Sequence, residues 1–328
     1  MHAVMFSIQY GLYGSYYGRE VSFVAMELPA SAANRKDRGL FRKFKDYFWG
    51  MMFLLPAIAV FCLFLWTPIA KGIVYSFMNI DFVNGSYFVG FENYREVFAS
   101  RDTGIAVRNT IYYMFLGIVI GFWVPSLVAI AISELRWFQG SMRLLVYLPN
   151  IVPAVVLYTM WQYLYDPLGP INQFLSWFGM DTILWLADKG MAMIAIVISE
   201  TWQNFGTTTL IYLAAVVGIP KDQYEAAEID GAGVLQRIRY ITIPGIRHIF
   251  VLLFIMQLIG TSQGFQTHIA MTGGGPNNAT LTYMYQLTNE AFTRFDYGKA
   301  SAMGVLMFVV LTTLSIGLYA YQGRSKNA

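Results

Sequence analysis

The chain has 328 residues, of which 56% are hydrophobic and only 12% are charged, and its formal net charge is +3. Soluble domains carry roughly 25% charged residues, so this composition indicates a membrane protein. The small net charge and the lack of a Lys/Arg block with interleaved aromatic residues argue against nucleic-acid binding. The single cysteine, Cys62, excludes a disulfide within the chain, and in its apolar run it is expected to be an inert thiol.

Residues 1–30 do not resemble a signal peptide, because they lack a positive start, a compact apolar core and a small-residue cleavage site. The segment is rich in tyrosine and glycine. It is either a peripheral or poorly ordered segment at the membrane or an upstream extension of little consequence. We assign residues 1–44 to an N-terminal cytoplasmic or peripheral extension.

Six long runs with at most one charged residue follow, and a helix needs about 20 mostly apolar residues to cross a bilayer. The runs cover residues 47–70, 109–133, 144–165, 190–220, 248–271 and 300–323. The fifth ends before Gly273–Pro276, which breaks a helix. The sequence therefore predicts an all-α fold, a polytopic membrane helix bundle with six core transmembrane helices. The bundle would cover residues 45–323, with a short tail at 324–328.

The distribution of Lys and Arg predicts the orientation of the bundle. With the N-terminus placed inside, fifteen of the 22 Lys and Arg residues fall in inner segments and the remaining seven in outer segments. Positively charged loops stay on the cytoplasmic side, so both termini are expected there. The basic cluster at 35–45 adjoins the first run and is expected at the anionic inner leaflet.

Two outer segments are long enough to hold structure. Residues 71–108 can form a small structured loop. In residues 166–189, apolar residues recur three and four apart with polar residues between them, which predicts an amphipathic helix at the outer interface. The apolar residues of this helix are Ile171, Phe174, Leu175 and Phe178.

A charged segment at 218–246 separates the fourth and fifth runs and is predicted to be cytoplasmic. Asp222 is placed to cap a helix over 223–230, and Gly231 and Gly233 are placed to end it. A second short helical turn can follow at 234–240. The segment is either a solvated connecting loop or an element that docks into a groove on another protein.

Polar residues also enter the fourth and fifth runs. Glu200 is the only charged residue in any run, and a carboxylate near the centre of a spanning helix costs about 2.5–3.5 kcal/mol on insertion scales. The polar residues of the two runs are Thr201, Trp202, Gln203, Asn204, Thr207, Thr208, Thr209, Gln257, Thr261, Ser262, Gln263, Gln266 and Thr267. They form either a hydrogen-bonded cluster between helices or a wet pathway for a hydroxyl-rich solute. No metal-binding motif involves His2, His248 or His268.

The charged segment resembles the EAA signature of ABC importer permeases. It contains Glu225-Ala226-Ala227, then Asp230-Gly231-Ala232, and ends in Ile243-Pro244. The stretches "FVGFENYREVF", "YLPNIVPAVVLYTMWQYLYDPLGPINQFL" and "MTGGGPNNAT" are similar, in the same order, to the carbohydrate-type permeases of the maltose and glycerol-phosphate importer group. The resemblance covers roughly residues 45–322.

The resemblance implies that the charged segment couples the permease to a cytoplasmic ATPase subunit. The residues expected at that contact are Glu225, Ala226, Ala227, Asp230 and Gly231. Glu225 would be the polar anchor and Gly231 the break that lets the chain turn. The chain has no Walker motif of its own. ATP and magnesium are therefore expected on partner subunits, and the chain is not expected to be an enzyme.

The resemblance also implies positions for the substrate pathway. These are Glu200, Gln203, Asn204, Thr207, Gln257, Gly260, Thr261 and Gly264. They differ from the maltose type at nearly all positions, which allows a different or larger glycan. Glycerol phosphate and an acidic oligosaccharide remain alternatives, although Glu200 disfavours a polyanion unless it is paired.

The implied assembly contains a second homologous permease subunit, two ATPase subunits and an extracytoplasmic solute-binding protein in a bacterial cytoplasmic (inner) membrane. A homodimer of permeases is the less favoured arrangement. One rival is an ion-coupled secondary sugar transporter, which predicts several intramembrane carboxylates or an inverted repeat. Another is a membrane-embedded enzyme, which needs clustered catalytic residues. The sequence displays neither pattern.

Overall fold

The computed structural model describes residues 40–326 apart from 84, 136 and 137. The predictions for residues 1–39 and 327–328, and for the basic side chains up to Lys45, lie outside the described part. The chain divides into two units, with the boundary between Phe64 and Leu65. The described part of the first unit is helix α1 (Leu40–Phe61) and the start of the π-helical turn Cys62–Trp66.

The second unit is built almost entirely from helices, as the sequence predicts. Two further π-helical turns, Gly117–Phe122 and Ile238–Thr242, join successive helices. The strands β1 (Met78–Asn79) and β2 (Tyr87–Phe88) pair antiparallel. The helices are α2 (Thr67–Tyr75), α3 (Glu92–Ala99), α4 (Arg101–Leu116), α5 (Trp123–Glu134), α6 (Gln139–Ile151), α7 (Ala154–Leu164), α8 (Pro170–Ser176), α9 (Ala192–Val217), α10 (Lys221–Ile229), α11 (Val234–Arg237), α12 (Ile243–Gly245), α13 (Arg247–Ser262), α14 (Gln266–Thr272), α15 (Tyr283–Phe292) and α16 (Tyr297–Lys326).

Three helices of the described chain are long and apolar enough to cross a membrane: Met51–Tyr75, Arg101–Glu134 and Tyr297–Ala320. Two bent pairs, α6 with α7 and 234–245 with α13, raise the number to five if each is one span. Helix α9 has 26 residues, and at 1.5 Å per residue it is about 39 Å long. Its polar middle keeps it below the required hydropathy. An all-α membrane bundle is thus confirmed, while the number of six spans stays a prediction.

The third predicted span is not one straight helix. Helices α6 and α7 meet at an angle of 93°. Val152 between them is extended, with ψ of 132°, and precedes Pro153. Proline disfavours helical conformation in the residue before it and has no amide hydrogen to donate. The expectation of a continuous helix over 144–165 was therefore wrong.

The fifth predicted span is also interrupted. Helix α13 ends at Ser262, and α14 begins only at Gln266. Gly264 lies in the break, where a Cβ would come within 2.8 Å of the Tyr113 ring. The chain therefore leaves the helix where it passes close to α4, and the expectation of one helix to Met271 was wrong.

The two segments predicted to lie outside the membrane contain ordered elements, within narrower bounds than predicted. The first holds the hairpin and α3, and Asn93 of α3 donates hydrogen bonds to the carbonyls of Ser76 and Met78, both at 2.9 Å. The second contains α8, which is only seven residues long. Ile171 and Leu175 are half-buried there, while Phe174 is exposed.

Close packing of α9 against its neighbours forms the core. A buried cluster joins α5, α9 and α13 through Ala129, Tyr212 and Leu253. Gly206 of α9 lies against the backbone carbonyl of Val146 in α6, where a Cβ would overlap the oxygen. Small residues allow such close approach between membrane helices. This packing orients the polar side of α9 toward α4, α5 and α13.

Candidate functional site

A cavity of about 430 Å³ lies between three stretches of the second unit. One wall comes from residues 113–125 around the π-helical turn Gly117–Phe122, the second from α9 and the third from α13. Its polar lining residues are Tyr113, Glu200, Thr201, Asn204, Thr207, Thr208, Gln257 and Thr261. The cavity is therefore rich in hydroxyl and amide groups while it lies among apolar helices.

The cavity gathers most of the residues that the sequence predicted for the substrate pathway. Seven of the eight line it: Glu200, Asn204, Thr207, Gln257, Gly260, Thr261 and Gly264. Gln203 does not. On an α-helix, Gln203 lies about 60° from Glu200 and on the side away from Asn204 and Thr208. The role of all eight in transport remains a prediction.

Glu200 is held by side chains from two other helices. The hydroxyl of Tyr113 in α4 donates a hydrogen bond to the Glu200 carboxylate, and the side chain of Thr267 in α14 also bonds to it. Tyr113 is only 4% exposed. Its ring packs edge-on against His268, with 4.7 Å between ring centroids. The carboxylate is thus fixed at the cavity wall.

Sequence reasoning missed the contribution of α4 and the turn that follows it. Tyr113 lies in a run that looks uniformly apolar, so nothing local marks it. Gly117 and Gly121 are four residues apart, and a Cβ on either would come within 3.0 Å of Thr261 and Thr201, respectively. Two glycines at this spacing are the signal of a close helix contact that could have identified this wall.

The charged segment at 218–246, called the EAA segment from here on, begins with helix α10, which ends at a glycine as predicted. Gly231 has a φ of +79°, and its amide donates to the carbonyl of Glu228 at 3.1 Å. The amide of Ala232 donates to the carbonyl of Ala227 at 2.8 Å. This pair of bonds with a left-handed glycine is the Schellman motif, which stops a helix and turns the chain.

The predicted start of this helix was wrong. Helix α10 begins at Lys221 after Pro220, and no side chain caps it. Asp222 lies inside the first turn, where a carboxylate still interacts favourably with the helix dipole. The ring of Pro220 sets its φ at −56°, so the helix starts there without a side-chain cap.

Two contacts anchor the segment to the rest of the second unit. Arg237 of α11 bonds to Glu228 of α10 and, at 3.1 Å, to Glu134 at the end of α5. The hydroxyls of Tyr224 and Thr242 are 2.9 Å apart. These bonds hold α10 to α11 and α5, so the segment is an ordered element.

The outer face of the segment combines exposed carboxylates with exposed apolar side chains. Glu225, Ala226 and Asp230 are exposed, and Ala227 is half-buried. Ile229 is 87% exposed and Leu235 is 83% exposed. Large apolar side chains between charged ones are typical of a protein-binding surface. Sequence reasoning did not single out these two residues.

The described residues include no group of three or more His, Cys, Asp or Glu side chains that could hold a metal ion. The chemistry of the cavity is hydrogen bonding and apolar contact.

Comparison with known proteins identifies the family. Residues 115–327 match the binding-protein-dependent transport system inner membrane component family. The chain belongs to this family. As a binding-protein-dependent permease component, it is part of an ABC importer in which a separate subunit hydrolyses ATP. The matched region contains α9, α13 and the EAA segment, but Tyr113 lies just before it.

Relatives of this permease component align over most of its length. A trehalose/maltose transport system permease protein, MalF, of Thermococcus litoralis is 30% identical over 86% of this chain and 96% of its own. A solved bacterial ABC transporter described as importing the acidic polysaccharide alginate is 25% identical, with a TM-score of 0.77, over 87% of this chain and 98% of its own. An alginate ABC transporter has also been solved in complex with a periplasmic protein that holds an alginate pentasaccharide, with the same TM-score and identity over 85% of this chain and 95% of its own.

Proposed function

We propose that this permease subunit forms half of the translocation pathway of an importer for a carbohydrate, specifically an oligosaccharide. The observation that carries the proposal is the cavity, in which three walls present hydroxyl and amide groups at one place. Relatives that transport trehalose and maltose or alginate support the same class of substrate. A volume of about 430 Å³ is in the range of small-molecule sites.

The lining suits a sugar in its chemistry. Hydroxyls of a sugar both donate and accept hydrogen bonds, and the Asn204 and Gln257 amides and the Thr261 hydroxyl do the same. Phe122 and Phe205 line the same cavity and supply apolar surface for the carbon side of a sugar ring. A hydroxylated solute that enters the cavity therefore exchanges its hydrogen bonds to water for hydrogen bonds to these side chains.

The EAA segment is proposed as the contact with the ATPase subunit. Glu225, Ala226, Ala227, Asp230 and Gly231 form the contact, and the exposed Ile229 and Leu235 extend it. The segment is too charged to lie in lipid. Its exposed apolar side chains are therefore covered by a groove on a partner protein in the aqueous phase. The Arg237 bridge then passes movement of the ATPase to the end of α5.

The complete importer contains a second permease related to this one, two ATPase subunits with ATP and magnesium, and an extracytoplasmic solute-binding protein. The alginate transporter solved with its periplasmic protein supports the last of these. The permease spans the inner membrane six times with both termini cytoplasmic. Residues 1–44 and 324–328 are an extension and a tail that flank the permease domain at 45–323.

The proposal is tested by ATP hydrolysis in lipid. This chain, its second permease and its ATPase are reconstituted together, and the solute-binding protein is added unloaded or loaded with one of a panel of oligosaccharides. One loaded sugar is expected to raise the ATPase rate and to accumulate in the vesicles. If no loaded oligosaccharide raises the ATPase rate or accumulates in the vesicles, the proposed carbohydrate function is wrong.

A further inference from the structure

We propose that the cavity selects saccharides without negative charge and that Glu200 is the residue that sets this selection. The inference rests on the proposed carbohydrate function and narrows its substrate class. It separates neutral oligosaccharides from the two alternatives that the sequence leaves open, uronic-acid oligosaccharides and glycerol phosphate.

The first observation is the sign of the charge in the cavity. Nineteen described residues line it, and none of them is Lys, Arg or His. Glu200 is the one ionisable carboxyl group among them. An anion that enters the cavity therefore loses its hydration and meets hydroxyls and amides but no positively charged side chain of this chain. Such a transfer is costly in free energy.

The second observation is that the Glu200 carboxylate is fixed. Tyr113 and Thr267 both bond to it. Tyr113 cannot move away easily, because its ring contacts His268 on one side and the backbone at Gly264 on the other. The carboxylate therefore cannot swing out of the cavity to admit an anionic substrate.

His268 does not supply the missing positive charge. It is completely buried and meets Tyr113 through the edges of the rings. Neither of its ring nitrogens has a hydrogen-bond partner in the described part of the chain. His268 is also not among the residues that line the cavity, so it presents no charge at the cavity wall.

A neutral sugar meets none of these penalties. Its hydroxyls pair with Asn204, Gln257 and the threonines, and Glu200 can accept from a hydroxyl as it does from Tyr113. This permease therefore differs in substrate charge from the neighbour described as an alginate importer. The test uses the assembled importer, so that the wall contributed by the second permease is present.

The experiment measures equilibrium binding of labelled sugars to the importer held in lipid nanodiscs, with the solute-binding protein left out. The probes are matched pairs of trisaccharides in α-1,4 and β-1,4 linkage. One member of each pair is neutral, and the other has each C6 hydroxymethyl group oxidised to a carboxylate. For the pair that binds best, the neutral member is expected to have a dissociation constant about tenfold lower or more, given like-charge repulsion in a partly hydrated site.

Three substitutions then assign the effect to Glu200. Glu200→Gln is expected to reduce the discrimination to about twofold. Gln257→Glu adds a second carboxylate from α13 and is expected to increase it, which keeps the test informative if Glu200→Gln does not assemble. Glu96→Gln changes an exposed carboxyl group of α3 outside the cavity and is expected to leave the ratio unchanged.

The possible outcomes distinguish failure of the charge selection from failure of the proposed carbohydrate function. A uronate that binds as tightly as its neutral partner in the unmodified importer overturns the charge selection and leaves the importer assignment intact. Discrimination that persists in Glu200→Gln and does not grow in Gln257→Glu overturns the role of Glu200. If no saccharide of either kind binds or is imported, the proposed carbohydrate function fails first.

Discussion

The guanidinium group of Arg237 lies 3.1 Å from the carboxylate of Glu134, 103 residues away along the chain. Arg237 is only 14% exposed and also pairs with Glu228. The bridge joins the EAA segment to the end of α5, and the same continuous helix, Arg101–Glu134, holds Tyr113 at the cavity. One helix therefore connects the proposed ATPase contact to the proposed substrate site.

Arg237→Met is expected to weaken coupling. Glu134 and Glu228, whose charges remain, are 31% and 45% exposed, so the loss should lie between the roughly 1 kcal/mol of an exposed ion pair and the about 3–5 kcal/mol of a buried one. We expect sugar-stimulated ATP hydrolysis to fall at least about tenfold, while the importer still assembles. The matched variant is Arg239→Met, because Arg239 is exposed two residues away.

A double-mutant cycle assigns the effect to the bridge. Glu134→Gln alone should lower coupling, and Arg237→Met with Glu134→Gln should be little worse than Arg237→Met alone. Fully additive losses in the cycle would mean that the two residues act separately, and the mechanical connection would then be wrong.

Tyr113→Phe is expected to weaken substrate binding without loss of packing. The substitution removes only the hydroxyl that donates to Glu200. Without this bond the carboxylate is no longer fixed at the cavity wall, so the substrate concentration for half-maximal uptake should rise, and a loss of about 1.4 kcal/mol in binding corresponds to about tenfold. Tyr112→Phe on the same helix is the control, because Tyr112 is 40% exposed and does not line the cavity. Equal effects of the two changes would contradict the assigned role of Tyr113.

Gly264→Ala is expected to destabilise the permease, and Gly260→Ala is not. A Cβ at Gly264 would come within 2.8 Å of the Tyr113 ring, whereas a Cβ at Gly260 would meet nothing within 4 Å. Forcing a methyl group into a packed site costs about 1–3 kcal/mol. The melting temperature of the detergent-solubilised importer measures the difference. A Gly264→Ala variant as stable as Gly260→Ala would mean that α4 and the break after α13 are not in contact.

Glu225→Arg together with Gly231→Leu is expected to abolish transport and leave membrane insertion intact. Gly231 has a φ of +79°, which costs a residue with a side chain roughly 1–2 kcal/mol. The charge reversal removes the proposed anchor to the ATPase. Uptake and co-purification of the ATPase are measured side by side. Uptake that survives the double change would show that this segment is not the coupling element.

Gly233→Ala separates the conformation at Gly231 from a general need for glycine in this segment. Gly233 has a φ of −71°, which any residue can adopt, so the change should leave uptake close to that of the unmodified importer. Loss of uptake in Gly233→Ala would indicate that the segment tolerates no substitution. The effect of substituting Gly231 would then not be due to its positive φ.

Features that depend on a short stretch of chain could be predicted from the sequence. The apolar runs predicted a membrane bundle because hydropathy over about 20 residues is a local property. Gly231 predicted the end of α10 because only glycine adopts its conformation at little cost. The polar residues of α9 were found for the same reason, since Glu200 is conspicuous in its own run.

Contacts between distant segments were decided only by the tertiary structure. Tyr113 looks like any residue of an apolar run until α4 packs beside α9 and places its hydroxyl on Glu200. Gln203 looks like a pathway residue until the packing of α9 turns it away from the cavity. Arg237 and Glu134 become a pair because α5 ends beside α11. The sequence by itself determined which segments are apolar, polar or unable to continue a helix, because those properties belong to neighbouring residues. The tertiary structure decided which of these segments meet, because helix packing brings together side chains whose separation along the chain carries no local signal.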